Sequence, residues 1–263
     1  MTDVVAFSDV HLGTAQCNRE TFSQFVDALA EKPPKHIVIL GDLLDLWRRN
    51  TGEVLIENRD VLTRLFTIDA HIHYVVGNHD YAIWDLAQRH RKEIPFYGDV
   101  SITKDLRLES KSGRRFYFTH GYDLDVLCTM ESMPIDVYES FSAAMCRADD
   151  TLGGFASLLW EGMTISLPHI GKMNRMRSHP THREREFDRI YQVAVSGTAH
   201  LLTGAQPEAS FVFGHTHRPF INKAGTVVNT GSWCNEPSIS SVNNTYVAIE
   251  QGEIALKRFS RKS

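Results

Sequence analysis

The chain carries five short blocks of histidine, aspartate, asparagine and glycine whose side chains can bind divalent metal ions. The blocks are Asp9-Val10-His11, Gly41-Asp42, Gly77-Asn78-His79-Asp80, His120-Gly121 and Gly214-His215-Thr216-His217. Imidazole nitrogens and carboxylate oxygens are the ligands preferred by metals that activate water at phosphate esters. No block contains a cysteine, which argues against a structural zinc site. The residue types therefore predict a catalytic metal centre.

These blocks contain enough ligands for two metal ions. The candidate ligands are Asp9, His11, Asp42, Asn78, His120, His215 and His217. A carboxylate can bridge two ions because each of its oxygens serves one, and Asp42 is the natural bridge. Asp9 and His11 alternate along what we expect to be an extended segment, so that both side chains leave the same face. We expect the same of His215 and His217.

Each block taken alone also has a simpler interpretation. An aspartate or asparagine that follows a strand is often a turn or helix-capping residue, and His79 fits as a capping residue of the helix that follows it. All five blocks, however, follow short apolar runs. The agreement of several independent signals favours the metal centre over five unrelated turns.

The first half of the chain alternates between strand and helix patterns. Short apolar, β-branched runs at 4–7, 36–40 and 72–76 are typical of buried strands, and each ends at one of the blocks. Apolar residues at helical spacing lie between them, at 22–29 and 54–66. Parallel strands connected in this way bring their carboxyl ends to one edge of a sheet, which is where ligands bind.

The second half of the chain is dominated by strand patterns, apart from one long helical stretch. Strands are predicted at 106–108, 115–119, 211–213, 226–229, 245–250 and 254–259. We expect a second sheet packed on the first, in an α/β fold (α+β by some schemes) that is a double-layered β-sandwich flanked by helices, with four α/β/β/α layers. We expect a single domain of residues 1–263, in which residues 121–207 are a helical insertion that forms a cap over the site.

Composition narrows the range of functions. A chain of 263 residues with 42% hydrophobic content can bury one sizeable core, and a net charge of −4 gives no reason to expect nucleic acid or an anionic membrane as a partner. The four cysteines are scattered, which indicates reduced thiols. Met1 runs directly into an apolar strand without a basic leader, and no apolar stretch approaches the roughly 18 residues of a membrane span. We therefore expect a cytoplasmic protein.

The ordered blocks resemble those of the calcineurin-like metallophosphoesterase superfamily, over residues 3–120 and 208–259. The resemblance implies the β-sandwich fold and two metal sites that share one aspartate. The first site would take Asp9, His11, Asp42 and His217, and the second Asp42, Asn78, His120 and His215. It also implies that a hydroxide bridging the ions attacks phosphorus in line with the leaving oxygen. Two ions are chemically suited to this, since they acidify a shared water and neutralise the phosphoryl oxygens.

His79 is then not needed as a ligand. We expect its imidazole to protonate the leaving group or to stabilise the transition state, with Asp80 orienting and charging that imidazole. The two ions are expected to be Mn²⁺, with iron, zinc or nickel as alternatives, because such sites accept several metals according to availability.

Two stretches point to one branch of the superfamily. Residues 41–47 and 214–219 are similar to the UDP-2,3-diacylglucosamine pyrophosphatase family, as is a long helical insertion after His120-Gly121. That family usually carries arginine where this chain has His79, and aspartate where it has Tyr122. We therefore expect a relative with the same scaffold and a different substrate.

Candidate substrate-binding residues lie beside the blocks and in the insertion. They are Asp45, Trp47, Arg175, Arg177, Arg183 and Arg218. The basic residues between 172 and 189 would attract a second phosphate or a nucleotide. The alternative is a solvated helix with intrahelical ion pairs. Methionines in the insertion could line an acyl chain or only pack the cap against the sandwich.

These observations predict a dinuclear-metal-dependent phosphohydrolase that cleaves a phosphodiester or pyrophosphate bond in a small, nucleotide-containing substrate. Three alternatives remain: UDP-2,3-diacylglucosamine pyrophosphatase itself, a nuclease, or a non-catalytic metal-binding scaffold. The balanced charge and the lack of an appended domain count against a nuclease. The presence of every ligand and of His79 counts against a scaffold. The expected partner is a small phosphate ester, with no stable nucleic-acid complex, and the sequence leaves the oligomeric state open.

Overall fold

A computed structural model describes residues 2–89, 100–129, 133–147, 180–236, 240 and 242–260. Within these residues, eleven strands form two sheets and eight helices pack against them. The strands are β1 (Val4–Phe7), β2 (His36–Leu40), β3 (His71–Val75), β4 (Val100–Thr103), β5 (Asp105–Glu109), β6 (Arg115–Thr119), β7 (Ser210–Phe213), β8 (Phe220–Ile221), β9 (Val227–Asn229), β10 (Thr245–Glu250) and β11 (Glu253–Arg258).

The first sheet has six strands in the order β11-β10-β1-β2-β3-β4. Strands β1 to β4 are parallel, and β10 and β11 form an antiparallel hairpin at the edge next to β1. The second sheet has the order β5-β6-β7-β9-β8, with parallel strands at its centre and an antiparallel strand at each edge.

Two features of the sheets differ from the sequence prediction. The segments 245–250 and 254–259 were expected in the second sheet, and this expectation was wrong. Strand β10 pairs with β1, with Ala248 opposite Val5, because the apolar hairpin covers an edge of the first sheet that would otherwise be unpaired. Strands β4 and β8, which are short and sit at sheet edges, were not predicted.

Four helices cover the outer face of the first sheet. They are α1 (Arg19–Glu31), α2 (Thr51–Glu57), α3 (Arg59–Phe66) and α4 (Ala82–Arg89). The apolar spacing predicted α1, which buries Phe22 and Phe25. The segment 54–66 was expected to be a single helix but divides at Asn58. The Asn58 side chain donates to the Val54 carbonyl and accepts from Arg19 Nε, and this local bonding ends one helix and starts the next.

Alternation of side chains along the strands creates the layers. In β1, Val5 and Phe7 pack with the helices on the outer face, whereas Val4 and Ala6 face the space between the sheets. In β7, Val212 faces that same space. The predicted four-layer α/β/β/α sandwich is confirmed.

The insertion contributes helices α5 (Tyr122–Thr129), α6 (Ile135–Arg147), α7 (Pro180–Val195) and α8 (Thr198–Thr203). Helices α5, α7 and α8 supply Leu124, Ile190 and Ala199 to the apolar layer on the outer face of the second sheet. This part of the insertion is therefore the fourth layer of the sandwich. The predicted cap spans residues 121–207, of which 130–132 and 148–179 lie outside the described residues. No helix in the described part of the chain is both long and apolar enough to cross a membrane.

Candidate dinuclear metal site

The candidate ligands lie where the carboxyl ends of both sheets meet. Asp9 and His11 follow β1, Asp42 follows β2 and Asn78 follows β3, while His120 follows β6 and the 215–217 segment follows β7. These strands are parallel within each sheet, so their ends converge on one edge of the sandwich. Ligands from both sheets therefore surround one site.

The backbone at the ligands is left-handed rather than extended. Five ligands have positive φ angles: Asp9 53°, His11 51°, Asp42 52°, His215 66° and His217 57°. The expectation that the paired ligands alternate along extended segments was therefore wrong. A left-handed conformation is unfavourable for residues other than glycine, and it persists where the surrounding structure holds it, typically at functional sites.

The first group of ligands consists of Asp9, His11 and His217, whose ligand atoms lie within 4.8 Å of one another. His217 Nε2 lies 3.2 Å from Asp9 Oδ1 and 3.3 Å from His11 Nε2. His11 Nε2 also lies 3.7 Å from Asp42 Oδ2. Asp9 Oδ1 is buried and accepts no well-aligned hydrogen bond in the part of the chain described. A buried carboxylate oxygen in this situation fits a metal ligand.

The second group consists of Asp42, His120 and His215. His120 Nε2 lies 3.4 Å from Asp42 Oδ2, 3.2 Å from Asn78 Oδ1 and 3.3 Å from His215 Nδ1. His120 Nδ1 lies 2.6 Å from the Leu40 carbonyl, to which it must donate its proton. The Nε2 atom is then the one left to bind a metal. Asp42 Oδ2 is near both groups, as a bridging ligand requires.

Without metal, the carboxylates and imidazoles of the site stabilise each other's charges. Burial alone would lower the pKa of His120, but the charge and hydrogen bond of Asp42 outweigh it and raise this pKa to about 10. The pKa of His217 is likewise raised to about 10 by Asp9, against the effect of burial. Burial raises the pKa of Asp9, but the charge of His217 lowers it to about 2. Two divalent cations would supply the positive charge that the protonated imidazoles otherwise provide.

Three acidic residues stand behind the ligand histidines. Asp45 is fully buried, and its Oδ2 lies 3.2 Å from His11 Nδ1. Asp125 Oδ2 lies 3.1 Å from His215 Nε2, and Glu236 Oε2 lies 3.6 Å from the Nδ1 atom of His217. Carboxylates in these positions fix the tautomer and orientation of a ligand imidazole. Sequence reasoning missed Asp125 and Glu236, because neither belongs to a recognisable block.

His79 borders the ligands and shares Asp45 with them. Its Nδ1 lies 3.3 Å from Asp45 Oδ1, and its ring stacks on Trp47 with centroids 4.3 Å apart and an interplanar angle of 20°. Its backbone N–H donates to Asp42 Oδ1 at 2.8 Å. His79 also forms a third potential ligand group with His11 and Asp42. His79 is thus held next to the metal site from both its main chain and its ring.

The expectation that Asp80 orients the His79 imidazole was wrong. The Asp80 carboxylate points into the protein and accepts hydrogen bonds from Leu43 N, Tyr74 Oη and Gly77 N, at 2.7–2.9 Å. Burial and the charge of Asp42 raise its pKa to about 7. Asp80 therefore joins the loops after β2 and β3, and Asp45 takes the orienting position.

A model of the calcineurin-like phosphoesterase superfamily domain matches residues 2–251. The chain belongs to the calcineurin-like phosphoesterase superfamily. This phosphoesterase is a metal-dependent hydrolase of a family that uses a dinuclear divalent metal centre, and its clustered histidines and aspartates are candidate ligands for that centre.

Solved structures similar to this phosphoesterase are distant in sequence. A dimetal phosphatase from Danio rerio is 13% identical, with 98% of each chain covered and a TM-score of 0.44. The nuclease MPE of Pseudomonas putida is 12% identical, with 97% of this chain and 87% of that chain covered and a TM-score of 0.40. The protein TT1561 of Thermus thermophilus is 9% identical, with 99% and 100% covered and a TM-score of 0.48. Such distant likenesses do not indicate a function. No curated protein shows a significant match.

The candidate substrate-binding residues of this phosphoesterase lie in different places. Trp47 lies against His79, and the Arg218 guanidinium lies 4.8 Å over the ring of Phe187 on α7. Asp45 is buried behind the ligands, so we propose that it positions imidazoles rather than binds substrate. Arg48, which the sequence reasoning did not select, is exposed and contacts Asp45. Arg175, Arg177 and the side chain of Arg183 lie outside the described residues.

Proposed function

We propose that this chain hydrolyses a phosphodiester or pyrophosphate bond in a small, nucleotide-containing substrate at two metal ions. The observation that supports the proposal most is the position of Asp42 Oδ2, which lies 3.7 Å from His11 Nε2 of the first group and 3.4 Å from His120 Nε2 of the second. Asp9, His11, Asp42 and His217 would hold the first ion. Asp42, Asn78, His120 and His215 would hold the second.

The residues around the ligands favour stable, directional binding. When bound, two ions would lower the pKa of a shared water and neutralise the phosphoryl oxygens. Asp45 and the Leu40 carbonyl orient His11 and His120 so that the nitrogen of each ring facing the site is available. Imidazole and carboxylate donors suit Mn²⁺ as well as iron, zinc and nickel, and we propose a pair of Mn²⁺ ions.

His79 is placed to deliver a proton to the leaving oxygen. Its side chain is 12% exposed, and its Nδ1 faces the Asp45 carboxylate. The Nε2 atom is then the one that can hold a proton for transfer. Trp47 restrains the ring by stacking, so the imidazole need not be ordered during the reaction.

The substrate class rests on the groups beside His79. Trp47 offers an aromatic edge and Arg48 an exposed guanidinium, which suit a nucleobase and a second phosphate respectively. Phe141 of α6 packs edge-on against Trp47 with centroids 5.7 Å apart. This side of the site is therefore partly apolar, as expected for a ligand that is more than a free phosphate.

The reaction is tested with bis(p-nitrophenyl) phosphate and added Mn²⁺. We expect hydrolysis by the parent protein, a loss of activity on the order of 10²–10⁴-fold in Asp42→Ala, and a smaller loss in His79→Ala because nitrophenolate is a good leaving group. Lys257→Gln, an exposed change on β11, serves as the control and should retain activity. Parent-level activity in both site variants would show that the proposed chemistry is wrong.

The role of His79 is tested by changing the leaving group. Nitrophenolate leaves without a proton, whereas the ribose alkoxide released from a dinucleoside monophosphate needs one. The loss in His79→Ala should therefore be larger with a dinucleoside monophosphate than with the nitrophenyl ester. An equal loss with both would indicate transition-state stabilisation instead of proton transfer. Cleavage of single-stranded DNA in preference to these small substrates would identify a nuclease.

A further inference from the structure

Three histidines lie together at the end of the first sheet that is opposite to the metal site. His71 and His73 are two residues apart on β3, so their side chains leave the same face of the strand. His36 begins the neighbouring parallel strand β2, and its Cα pairs with that of His71. Neighbouring strands are about 4.8 Å apart, so the three imidazoles extend from adjacent positions on one surface. We call these residues the amino-end histidines.

The rings of the amino-end histidines are in direct contact. His36 Nδ1 lies 3.1 Å from His73 Nε2, with the ring centroids 5.3 Å apart. The His71 ring stacks on that of His36, also with centroids 5.3 Å apart. On its other side, His73 Nδ1 lies 2.8 Å from Ser101 Oγ of β4. The second ring nitrogen of a metal-binding histidine is usually held by a hydrogen-bond partner, and Ser101 Oγ can serve as that partner for His73.

The spacing of the facing nitrogens matches a metal chelate. Imidazole nitrogens bind zinc at about 2.0–2.1 Å, so two of them at a tetrahedral ion are roughly 3.3 Å apart. The His36–His73 pair needs only a slight widening to reach this separation. His71 is exposed and its ring stacks on His36, so a rotation of the side chain would bring one of its nitrogens toward the pair. Two ligands are thus nearly in place and a third is within reach.

We propose that His36, His73 and His71 form a second metal-binding site, for a single divalent ion of the zinc, nickel or copper type. Three imidazoles without a carboxylate suit these ions better than Mg²⁺ or Ca²⁺, which prefer oxygen ligands. The site is separate from the catalytic centre because it lies at the amino ends of β2 and β3, whereas the catalytic ligands follow the carboxyl ends. A bound ion would connect these two strands through their side chains.

The charge state of the cluster agrees with this proposal. Burial lowers the pKa of His73 to about 4, and the neighbouring His36 and His71 act in the same direction. Burial and His71 also lower the pKa of His36. Because both pKa values are lowered, both rings are unprotonated at neutral pH. The unprotonated imidazole is the form that binds metals. Lys35, the cation next to His36 in sequence, is paired with Asp3.

The experiment counts bound ions at equilibrium. The Mn²⁺-loaded protein is dialysed against micromolar free Zn²⁺, and total metal per chain is measured by mass spectrometry. Exchange of Zn²⁺ for Mn²⁺ in the catalytic centre does not change this total. We expect His36→Gln/His73→Gln to bind one ion fewer per chain than the parent. Its hydrolysis of bis(p-nitrophenyl) phosphate, measured in Mn²⁺ alone, should equal that of the parent and so show an intact fold.

Single substitutions distinguish the residues that support metal binding from neighbouring residues that do not. His71→Gln and Ser101→Ala should each weaken Zn²⁺ binding by roughly tenfold or more in calorimetric titration, as expected for removal of a third ligand or an outer partner. Lys257→Gln, on β11 at the other edge of the same sheet, should leave this affinity unchanged. An equal ion count in the double variant and the parent would overturn the proposal, as would unchanged Zn²⁺ affinity in both single variants.

Discussion

Asp45 contacts both a candidate metal ligand and the proposed proton donor. Its two carboxylate oxygens lie 3.2 Å from His11 Nδ1 and 3.3 Å from His79 Nδ1, so one side chain orients both a metal ligand and the proposed proton donor. Burial raises the pKa of Asp45, but its contacts with these two rings hold it well below the usual range. Asp45 is therefore ionised throughout the working pH range.

Replacing Asp45 with asparagine keeps the size of the side chain and removes its charge. One of the two imidazoles then faces an amide N–H₂ instead of an acceptor oxygen. We expect Asp45→Asn to raise the Mn²⁺ concentration needed for half-maximal activity by roughly 10–100-fold. The measurement is activity as a function of Mn²⁺, with kcat and KM taken at saturating metal. Arg48→Gln, on the exposed side of the same carboxylate, is the matched control and should leave the Mn²⁺ requirement near that of the parent. An unchanged metal requirement in Asp45→Asn would contradict the positioning role.

The sequence indicated more of the candidate ligands than of the residues that support them. All seven candidate ligands come together in the structure, because each follows directly on a strand that the apolar pattern identifies. Asp125 and Glu236 belong to none of the blocks, and only the folded chain shows which histidine each one faces. Asp80 was assigned to His79 because the two are adjacent in sequence, yet adjacent side chains after a strand end point in different directions.

At the level of elements, the local apolar pattern predicted the bounds of the strands better than it predicted which strands pair. The predictions for β1, β2, β6 and β10 match the observed bounds. The placement of β10 and β11 in the second sheet failed because pairing depends on contacts between distant segments, which periodicity does not report. The left-handed backbone at Asp9 and His11 also could not be predicted from the sequence, since neither residue type requires it.

Close contact between the loops at the strand ends makes one glycine critical. A Cβ atom on Gly77 would overlap the Asp42 side chain and would lie 2.5 Å from the Asp42 backbone nitrogen. We expect Gly77→Ala to displace the bridging aspartate and to reduce Mn²⁺-dependent hydrolysis by on the order of 100-fold, as misplacement of about 1 Å does at catalytic sites. Circular dichroism should show that the sandwich still folds.

The matched control for this change is Gly52→Ala. Gly52 lies in the first turn of α2, where an added Cβ would come within 3.2 Å of Asn50 Oδ1 alone, and alanine is favourable in a helix. Hydrolysis by Gly52→Ala should stay close to that of the parent. Parent-like hydrolysis in Gly77→Ala would show that the loops after β2 and β3 tolerate separation.

For the molecule as a whole, the metal site lies across the junction of two sheets. Asp9, His11, Asp42 and Asn78 come from the first sheet, and His120, His215 and His217 come from the second. Bound ions would therefore join the two halves of the sandwich at one edge, in addition to the apolar layer between them. Global stability should depend on metal for this reason.

Removing the metals should lower the melting temperature of the entire domain. Ions held at about 100-fold above their Kd contribute about 2.7 kcal/mol each, and 1 kcal/mol shifts a domain of this size by roughly 2–4 °C. We therefore expect chelation to lower Tm by on the order of 10 °C, measured by calorimetry as one cooperative transition. Asp42→Ala lacks the shared ligand, so its Tm should respond little to Mn²⁺.

The difference in Tm between metal-bound and metal-free protein should depend on pH, because histidines of the metal-free site are protonated. The pKa values of His120 and His217 are raised to about 10, so the stability that they contribute without metal is complete below about 6.5 and is lost as pH rises toward 10. Metal must also displace these protons, which becomes easier over the same range. The gap in Tm between metal-bound and metal-free protein should therefore widen from pH 7 to pH 9. A constant or narrowing gap would show that the two imidazoles are not protonated when the metals are absent.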